Sequence, residues 1–214
     1  MKLHLLRVSE HAAGATDGAV LSEEERARCA AFVRKADRDR YRVAHTALRL
    51  ELAAVLGTEP AAVPLTREPC PLCGGPHGRP AVPGNPVHFS LSHAGDVVLI
   101  ALDDAPVGAD VEACPTAAVV AETVSALHPR ERAEIGRLAP ADRPAAFARC
   151  WTRKEAYLKG TGAGLGESPD TTYVGSLATP AAVPGWELTD VAAPEGYAAA
   201  VAVAVTRTGE GSVP

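Results

Sequence analysis

Alternating and periodic hydrophobic positions predict both strands and helices along the chain. Strict alternation at residues 87–93, an apolar run at 97–102 and a third segment at 107–112 predict three strands joined by turns. Further strands are predicted at residues 3–8, 173–177, 186–191 and 196–205.

Apolar residues spaced three and four apart predict helices between these strands. Ser22 and Glu25 form a capping box that starts a helix running to about Val33. A second helix is expected at residues 39–56 and ends at Gly57, since glycine readily adopts the left-handed conformation that closes a helix. Later helices are predicted at residues 115–127, in a short segment from 128, and at 142–159.

The order of these elements predicts an α+β fold with two similar lobes, each a small antiparallel sheet packed with helices. The boundary falls in the turn near residue 106, which gives an N-terminal lobe at 1–106 and a C-terminal lobe at 107–206. Residues 207–214 are expected to form a flexible tail. No sequence repeat proves that the lobes are related.

Composition narrows the class of protein. The formal net charge of −5 over 214 residues argues against general nucleic-acid binding, which needs an excess of Lys and Arg. The N-terminus lacks a signal-peptide pattern, and no apolar run approaches the ~18 residues of a membrane span. Five cysteines without regular disulfide spacing fit a reducing compartment. A cytoplasmic protein is therefore expected.

Two carboxylates occupy one face of the strand predicted at 107–112. Asp110 and Glu112 are two residues apart and therefore share a side, whereas Ala109 and Val111 point to the other. Adjacent carboxylates repel each other unless a cation or a proton relieves the repulsion, so a divalent ion is one explanation. An exposed polar strand face is the alternative.

A third carboxylate lies on the helix predicted at 142–159. Trp151, Glu155 and Lys159 follow at four-residue steps and share one helix face, and Gly160 and Gly162 end the helix. A surface Glu–Lys pair is the simpler interpretation. Together with the strand acids, however, Glu155 would complete a set of oxygen ligands for magnesium, with manganese also acceptable.

Basic and hydroxyl side chains indicate an anionic ligand. Ser92 and His93 stand at the end of one predicted strand. Basic residues also cluster along the N-terminal helices, at Arg34, Lys35, Arg38, Arg40, Arg42, His45 and Arg49. Such residues around a metal ion suit a pyrophosphate or nucleotide. A solvated charged helix face remains the alternative for the N-terminal cluster.

A breaker-rich loop contains Cys70, Cys73 and His77. Two thiolates and an imidazole at this spacing are typical of part of a zinc site. A complete structural site has four ligands, and no nearby residue clearly supplies the fourth. The sequence therefore leaves open whether this loop binds zinc or is a plain rigid turn.

Three of these segments together resemble the motifs of the phosphopantetheinyl transferases. They are FSLSH at 89–93, VGADVE at 107–112 and WTRKEAYLKG at 151–160, followed by Gly162 and Gly164. Length and motif order resemble the larger, pseudo-dimeric class rather than the small trimeric class. The resemblance implies two lobes related by a pseudo-twofold axis in a monomer.

The resemblance also implies an activity. The family transfers the phosphopantetheine arm of coenzyme A to a serine of a carrier protein and releases adenosine 3′,5′-bisphosphate. By motif position, Asp110, Glu112 and Glu155 would bind the metal, and Glu155 or a metal-bound water would take the serine proton. Lys159 would neutralise charge on the pyrophosphate and the leaving group, and with Asp110 and Glu155 it forms the implied catalytic set.

Coenzyme-binding residues follow from the same resemblance. They would be Arg34, Arg38, His45, Gly78, Arg79, Pro80, Ser92, His93, Lys154 and Lys159. His93 would contact the 3′-phosphate, and the Gly-Arg-Pro element would lie against the adenine. Two departures stand out: Ala94 replaces a serine that many members have, and Ala109 with Val111 replaces a larger apolar pair.

The implied partners are acyl carrier proteins or the carrier domains of polyketide and peptide synthases. The sequence does not say which of these pathways supplies the carrier, nor which residues dock it. A non-catalytic module that binds coenzyme A or a carrier protein is the main alternative function. A metal-dependent nucleotide pyrophosphatase is a second.

Overall fold

The computed structural model describes residues 1–12 and 20–205 and shows a mixed fold with small antiparallel sheets and helices. The strands are β1 Lys2–Arg7, β2 Thr66–Arg67, β3 Pro80–Ala81, β4 His88–Ala94, β5 Val97–Asp103, β6 Val107–Ala113, β7 Trp186–Asp190 and β8 Tyr197–Ala204. The α-helices are α1 Val8–His11, α2 Glu23–Ala31, α3 Lys35–Leu56, α4 Ala117–Thr123, α5 Pro129–Arg137 and α6 Arg143–Thr161. Short 3₁₀ turns cover Pro60–Ala62, Val124–Ala126 and Gly164–Gly166.

The first sheet has the order β1-β5-β4 with antiparallel pairing throughout. One face of β5, which carries Val98, Ile100 and Leu102, packs against apolar residues of α3 such as Leu48 and Leu52. The opposite face of β5 is also buried. Burial on both faces explains why this strand is a continuous apolar run rather than an alternating one.

The second sheet has the order β6-β8-β7 and supports helix α6. Small side chains form the centre of this contact: Ala156 of α6 packs on Ala200 and Ala202 of β8. A Cβ atom at Gly108 would lie only 1.9 Å from the carbonyl oxygen of Ala156 and 2.3 Å from the amide nitrogen of Gly160. Glycine at position 108 therefore lets β6 approach α6 closely.

The two sheets pack against each other through a shared apolar layer. Val97 and Leu99 of β5 contact a cluster that includes Val107, Ala109 and Val201 of the second sheet. A polar contact adds to this layer, because the Ala109 amide donates to Ser90 Oγ on β4 at 2.9 Å. Strands β4 and β6 are thus brought side by side, and this places the site residues that each carries.

Most predicted elements are present, with one clear error. Helix α3 begins at Lys35 rather than 39, and the helix predicted at 115–127 ends as a 3₁₀ turn. Strand β1 ends at Arg7, where the four-residue helix α1 begins, and neither α1 nor the β2–β3 pair was expected. The predicted tail at 207–214 lies outside the described residues.

The strand predicted at residues 173–177 is wrong, because this segment is irregular. Its amide groups are satisfied by carboxylates instead of by a neighbouring strand. Val174 and Gly175 both donate to Glu131 Oε1, at 2.8 and 3.2 Å. Gly175 also has a φ of +77°, which a regular strand would not contain.

Candidate functional site

A lysine, an aspartate and a serine from three different elements form a hydrogen-bonded triangle. Lys159 Nζ on α6 lies 2.6 Å from Asp110 Oδ1 on β6 and 3.1 Å from Ser92 Oγ on β4. Ser92 Oγ also donates to Asp110 Oδ1 at 2.7 Å. Because the Asp110 side chain is only 2% exposed, its charge depends on these partners.

The second carboxylate oxygen of Asp110 is buried and has no hydrogen-bond partner in the described part of the chain. A buried acceptor of this kind is rare in folded proteins and calls for a ligand. Lys159 alone therefore does not complete the environment of Asp110.

Two further carboxylates are electrostatically coupled to Asp110. Burial, with repulsion from Asp110 and Glu155, raises the pKa of Glu112 to about 7 although Lys159 opposes the shift. Burial and Asp110 likewise raise the pKa of Glu155, one turn before Lys159. The structure thus brings all three predicted acids into one partly buried negative region. Shifted pKa values of this kind are common at functional sites.

This donor set fits a hard divalent ion in its chemistry. Three mutually repelling carboxylates and an orphaned carboxylate oxygen are relieved by a cation that prefers oxygen ligands. The oxygens are not gathered into a tight cluster, however. Among the described residues, the only group of potential ligands within 4.8 Å of one another is Cys70, Cys73 and His77.

A cavity of about 910 Å³ opens beside the triangle, and Lys159 is part of its wall. It lies between the α2–α3 region, strand β4, the loop before β3 and the end of α6. Predicted residues that line it are His45, Gly78, Arg79, Pro80, His93 and Lys159. Its volume is typical of small-molecule sites.

The charge of this cavity is one-sided. Its lining contains Arg28, Arg67, Arg79 and Lys159, together with three histidines, and no aspartate or glutamate among the described residues. The whole chain, by contrast, has a net charge of −5. A cavity lined by cations in an acidic protein concentrates anionic ligands.

Several wall residues are held in place by second partners. Arg79 Nε donates to Glu68 Oε2 at 2.7 Å, and one of its terminal nitrogens donates to the Gly160 carbonyl at 2.6 Å, which joins the wall to the end of α6. His45 stacks on Tyr41 with ring centroids 3.9 Å apart and contacts Glu25 Oε1 through Nδ1 at 2.9 Å.

His93 is an exposed residue of the cavity wall, and its pKa is lowered. Partial desolvation by the surrounding protein lowers its pKa, and the positive charges of Arg40, His45 and Lys159 lower it further. These effects favour the neutral form of the imidazole over the charged form. Ser92 lies beneath the wall and contacts Asp110 rather than the open space.

The structure does not bring every predicted residue to the cavity. Lys154 is 2% exposed, and its Nζ lies 2.8 Å from Glu131 Oε2 and 2.6 Å from the Thr172 carbonyl, so it is bound in the core. Arg38 donates to the Phe32 and Val33 carbonyls and braces the α2–α3 connection. Arg34 is exposed at the start of α3 and does not line the cavity.

Sequence reasoning missed Arg28 and Arg67, which line the cavity. Neither belongs to a motif. Arg28 lies on α2, before the basic cluster that was considered, and Arg67 lies in the two-residue strand β2. The remaining signal was weak: Arg28 falls in the last turn of a capped helix that precedes the cluster.

The fold and the site together define an α+β protein with a cationic cavity beside a carboxylate pocket. A family model described as the 4′-phosphopantetheinyl transferase superfamily matches residues 106–202. The chain is 32% identical over 193 residues to the 4′-phosphopantetheinyl transferase HetI of Nostoc sp. strain PCC 7120, which covers 87% of this chain and 79% of that protein.

Two other relatives match over shorter stretches. A 4′-phosphopantetheinyl transferase of Bacillus subtilis is 28% identical over 149 residues, covering 69% of this chain and 62% of that protein. The 4′-phosphopantetheinyl transferase AcpT of Escherichia coli O157:H7 is 38% identical over 110 residues, covering 48% of this chain and 55% of that protein. The chain belongs to the 4′-phosphopantetheinyl transferase superfamily.

Proposed function

We propose that this chain transfers the 4′-phosphopantetheine arm of coenzyme A to a serine of a carrier protein and releases adenosine 3′,5′-bisphosphate. The observation that carries the proposal is the cavity of about 910 Å³ with four cationic and no anionic lining side chains, placed next to three carboxylates. Family membership supports the reaction type.

The cavity is proposed to bind the nucleotide part of coenzyme A. His45, His93 and Arg79 contact the phosphates, and the backbone of Gly78 and Pro80 lies against the adenine. Ser92 accepts a hydrogen bond from Lys159 and so helps to position it. We add Arg28 and Arg67 to the anion-binding set because they share this wall. The positions of Arg34, Arg38 and Lys154 give no support for a role there.

Asp110, Glu112 and Glu155 are proposed to hold a divalent ion, magnesium or manganese. The orphaned oxygen of Asp110 and the raised pKa of Glu112 support this assignment. When bound, the ion would offset the negative charge of the coenzyme pyrophosphate.

Glu155 is proposed as the general base. The oxygen of the carrier serine attacks the β-phosphorus of coenzyme A, its proton passes to the Glu155 carboxylate, and the bond from phosphorus to the bridging oxygen breaks. That oxygen and the second phosphate leave as part of adenosine 3′,5′-bisphosphate. A raised pKa makes Glu155 a stronger acceptor than an ordinary carboxylate.

Lys159 is proposed to stabilise the charge that grows on the leaving phosphate. Its ammonium already lines the cavity and is fixed by Asp110, so little reorganisation is needed when the substrate enters. Asp110 thus has two proposed tasks: it orients Lys159 through Oδ1 and contributes Oδ2 to the metal.

The finer class is also proposed. Two three-stranded sheets, each covered by one long helix, support the pseudo-dimeric arrangement with lobes at 1–106 and 107–206, acting as a monomer. Carrier proteins of fatty-acid, polyketide or peptide synthases are the proposed partners, and the cytoplasm is the proposed location. No helix in residues 1–12 and 20–205 is long and apolar enough to cross a bilayer.

The test is the intact mass of an apo carrier protein after incubation with this chain, coenzyme A and magnesium. We expect a gain of one phosphopantetheine arm that EDTA abolishes. Glu155→Gln should lower turnover by about 10²- to 10⁴-fold while calorimetry still detects coenzyme A binding. Glu187→Gln, on the exposed side of β7, is the matched control and should behave as wild type.

Three outcomes would contradict parts of this proposal. Undiminished turnover in Glu155→Gln would remove the base assignment. Binding of coenzyme A without mass gain on any carrier class would identify a non-catalytic binding module. Cleavage of coenzyme A in the absence of a carrier would identify a pyrophosphatase.

A further inference from the structure

The loop that precedes β3 gathers two cysteines and a histidine. The ligand atoms of Cys70, Cys73 and His77 all lie within 4.8 Å of one another, and Cys73 Sγ is 3.1 Å from His77 Nε2. Zinc bonds of about 2.3 Å to sulfur and about 2.0 Å to nitrogen separate two tetrahedral ligand atoms by roughly 3.6 Å. The described geometry is therefore close to what a zinc ion requires.

The backbone of the loop supports this arrangement. Gly74 donates to the Cys70 carbonyl at 2.8 Å, and Cys70 donates to the Gly75 carbonyl at 2.7 Å, which closes a tight turn. This turn keeps the sulfurs of Cys70 and Cys73 within 4.8 Å of each other.

Gly75 provides the space in which the histidine meets the cysteine. A Cβ atom there would lie 2.9 Å from the His77 ring and 3.4 Å from Cys73 Sγ. A turn that served only to reverse the chain would not need the imidazole folded back onto a sulfur. The glycine and the three side chains thus describe one preformed cradle.

We propose that Cys70, Cys73 and His77 bind one zinc ion that is separate from the carboxylate site. Two thiolates and an imidazole favour zinc over magnesium, which prefers oxygen ligands. Binding transfers the two thiol protons to solvent. No fourth side chain joins the group within the described residues, and Cys73 and His77 are exposed to the cavity, so water completes the coordination.

The site lies where it fixes one wall of the cavity. Leu72 packs closely on Gly166: a Cβ atom added to Gly166 would lie only 2.7 Å from Leu72 Cδ1. Arg79, two residues after His77, donates to the Gly160 carbonyl at the end of α6. A zinc ion would therefore make the loop that precedes Arg79 rigid, and Arg79 in turn contacts the helix that carries Lys159.

Metal analysis of the reduced protein, purified without chelator, tests the site directly. We expect about one zinc ion per chain. Cys73→Ser and His77→Ala, both exposed positions, should lose it, whereas Cys29→Ser, outside the cluster on α2, should retain it. Circular dichroism should show that the variants remain folded.

Cobalt substitution of the wild-type chain gives a second readout that does not depend on any variant. We expect near-ultraviolet absorption from thiolate-to-cobalt charge transfer, which an all-oxygen site cannot produce. Absence of both zinc and this absorption overturns the proposal. So does a mass lower by two hydrogen atoms, because a disulfide between Cys70 and Cys73 would then occupy both sulfurs.

The effect on the cavity wall rests on the proposed function and is measured separately. Zinc-depleted protein should bind adenosine 3′,5′-bisphosphate about fivefold or more weakly, and added zinc should restore affinity in wild type and Cys29→Ser but not in Cys73→Ser. Unchanged affinity after depletion would overturn the wall role. Failure of the nucleotide to bind even with zinc present would instead count against the proposed function.

Discussion

Helix α6 carries two groups of charged residues that differ in how completely their charges are paired. On one side, Arg153 is fully buried, donates to Asp190 Oδ1 at 2.7 Å and reaches the Gly175 and Leu177 carbonyls. Its neighbour Lys154 is held by Glu131. These charges have several partners each, so they stabilise the irregular segment that follows the helix.

On the other side, the charges are only partly satisfied. Lys159 has Asp110 and Ser92 as partners, but Asp110 Oδ2 has none among the described residues. Glu112 and Glu155 have raised pKa values because they are desolvated beside another carboxylate. The comparison separates two uses of buried charge: satisfied groups hold the fold, and unsatisfied groups await a ligand.

The largest expected effect is a loss of stability on the satisfied side. Glu131→Ala leaves Lys154 as an unpaired buried charge and removes the acceptor for the Val174 and Gly175 amides. We expect the free energy of unfolding to fall by about 3–5 kcal/mol. Urea denaturation measures it, with Glu187→Ala as an exposed control. A loss below about 1 kcal/mol would contradict the structural role of this pair.

Removing a charge from the carboxylate group around Asp110 is expected to raise the free energy of unfolding. The raised pKa of Glu112 means that the neutral form is favoured in the folded state, so its contribution to stability is present below pH ~4.5 and is lost as the pH rises through about 7. Without divalent ions at pH 8, the free energy of unfolding of Glu112→Gln should exceed that of wild type by about 1–2 kcal/mol, after allowance for solvent screening.

This prediction has an internal check. At pH 4 the wild-type carboxyl is protonated in both states, so Glu112→Gln should then give no gain. Thermal or urea unfolding at the two pH values in EDTA gives the difference. Destabilisation at pH 8 would show that Glu112 is a satisfied charge like Glu131, and the comparison would fail. Transfer activity should fall in the same variant, because a proposed metal ligand is lost.

The smallest expected effect concerns the coupling between two acids. Glu155 contributes to the raised pKa of Glu112 by its negative charge. Glu155→Gln should therefore lower the pKa of Glu112 in the metal-free protein, by less than the removal of Asp110 would. Carboxyl-carbon NMR titration measures the shift. An unchanged value would mean that burial and Asp110 account for the whole effect.

The elements that carry the site could be predicted because their patterns are strong. Strands β4, β5 and β6 show clear alternation or continuous apolar runs, and α6 has glycines where it ends. The prediction failed at residues 173–177, where apolar residues occur but the amides bind Glu131. Partners so distant in sequence are invisible to a local pattern.

The contents of the site were predictable to the extent that they lie on regular elements. Asp110 and Glu112 share a strand face, and Glu155 and Lys159 share a helix face. Lys154 was misplaced because adjacent helix positions point about 100° apart, so motif membership alone does not give direction. The cavity cations outside the motifs depend on how loops meet, which requires the tertiary structure.

The triangle of Ser92, Asp110 and Lys159 joins β4, β6 and α6, which are far apart in the chain. A ribosome-bound chain that has emerged only as far as the first sheet displays the serine without either charged partner. The triangle closes only after α6 has docked on the second sheet and the two sheets have met. The ability to bind ligand is thus acquired late in folding, and a partly folded chain has no assembled site that could bind the coenzyme.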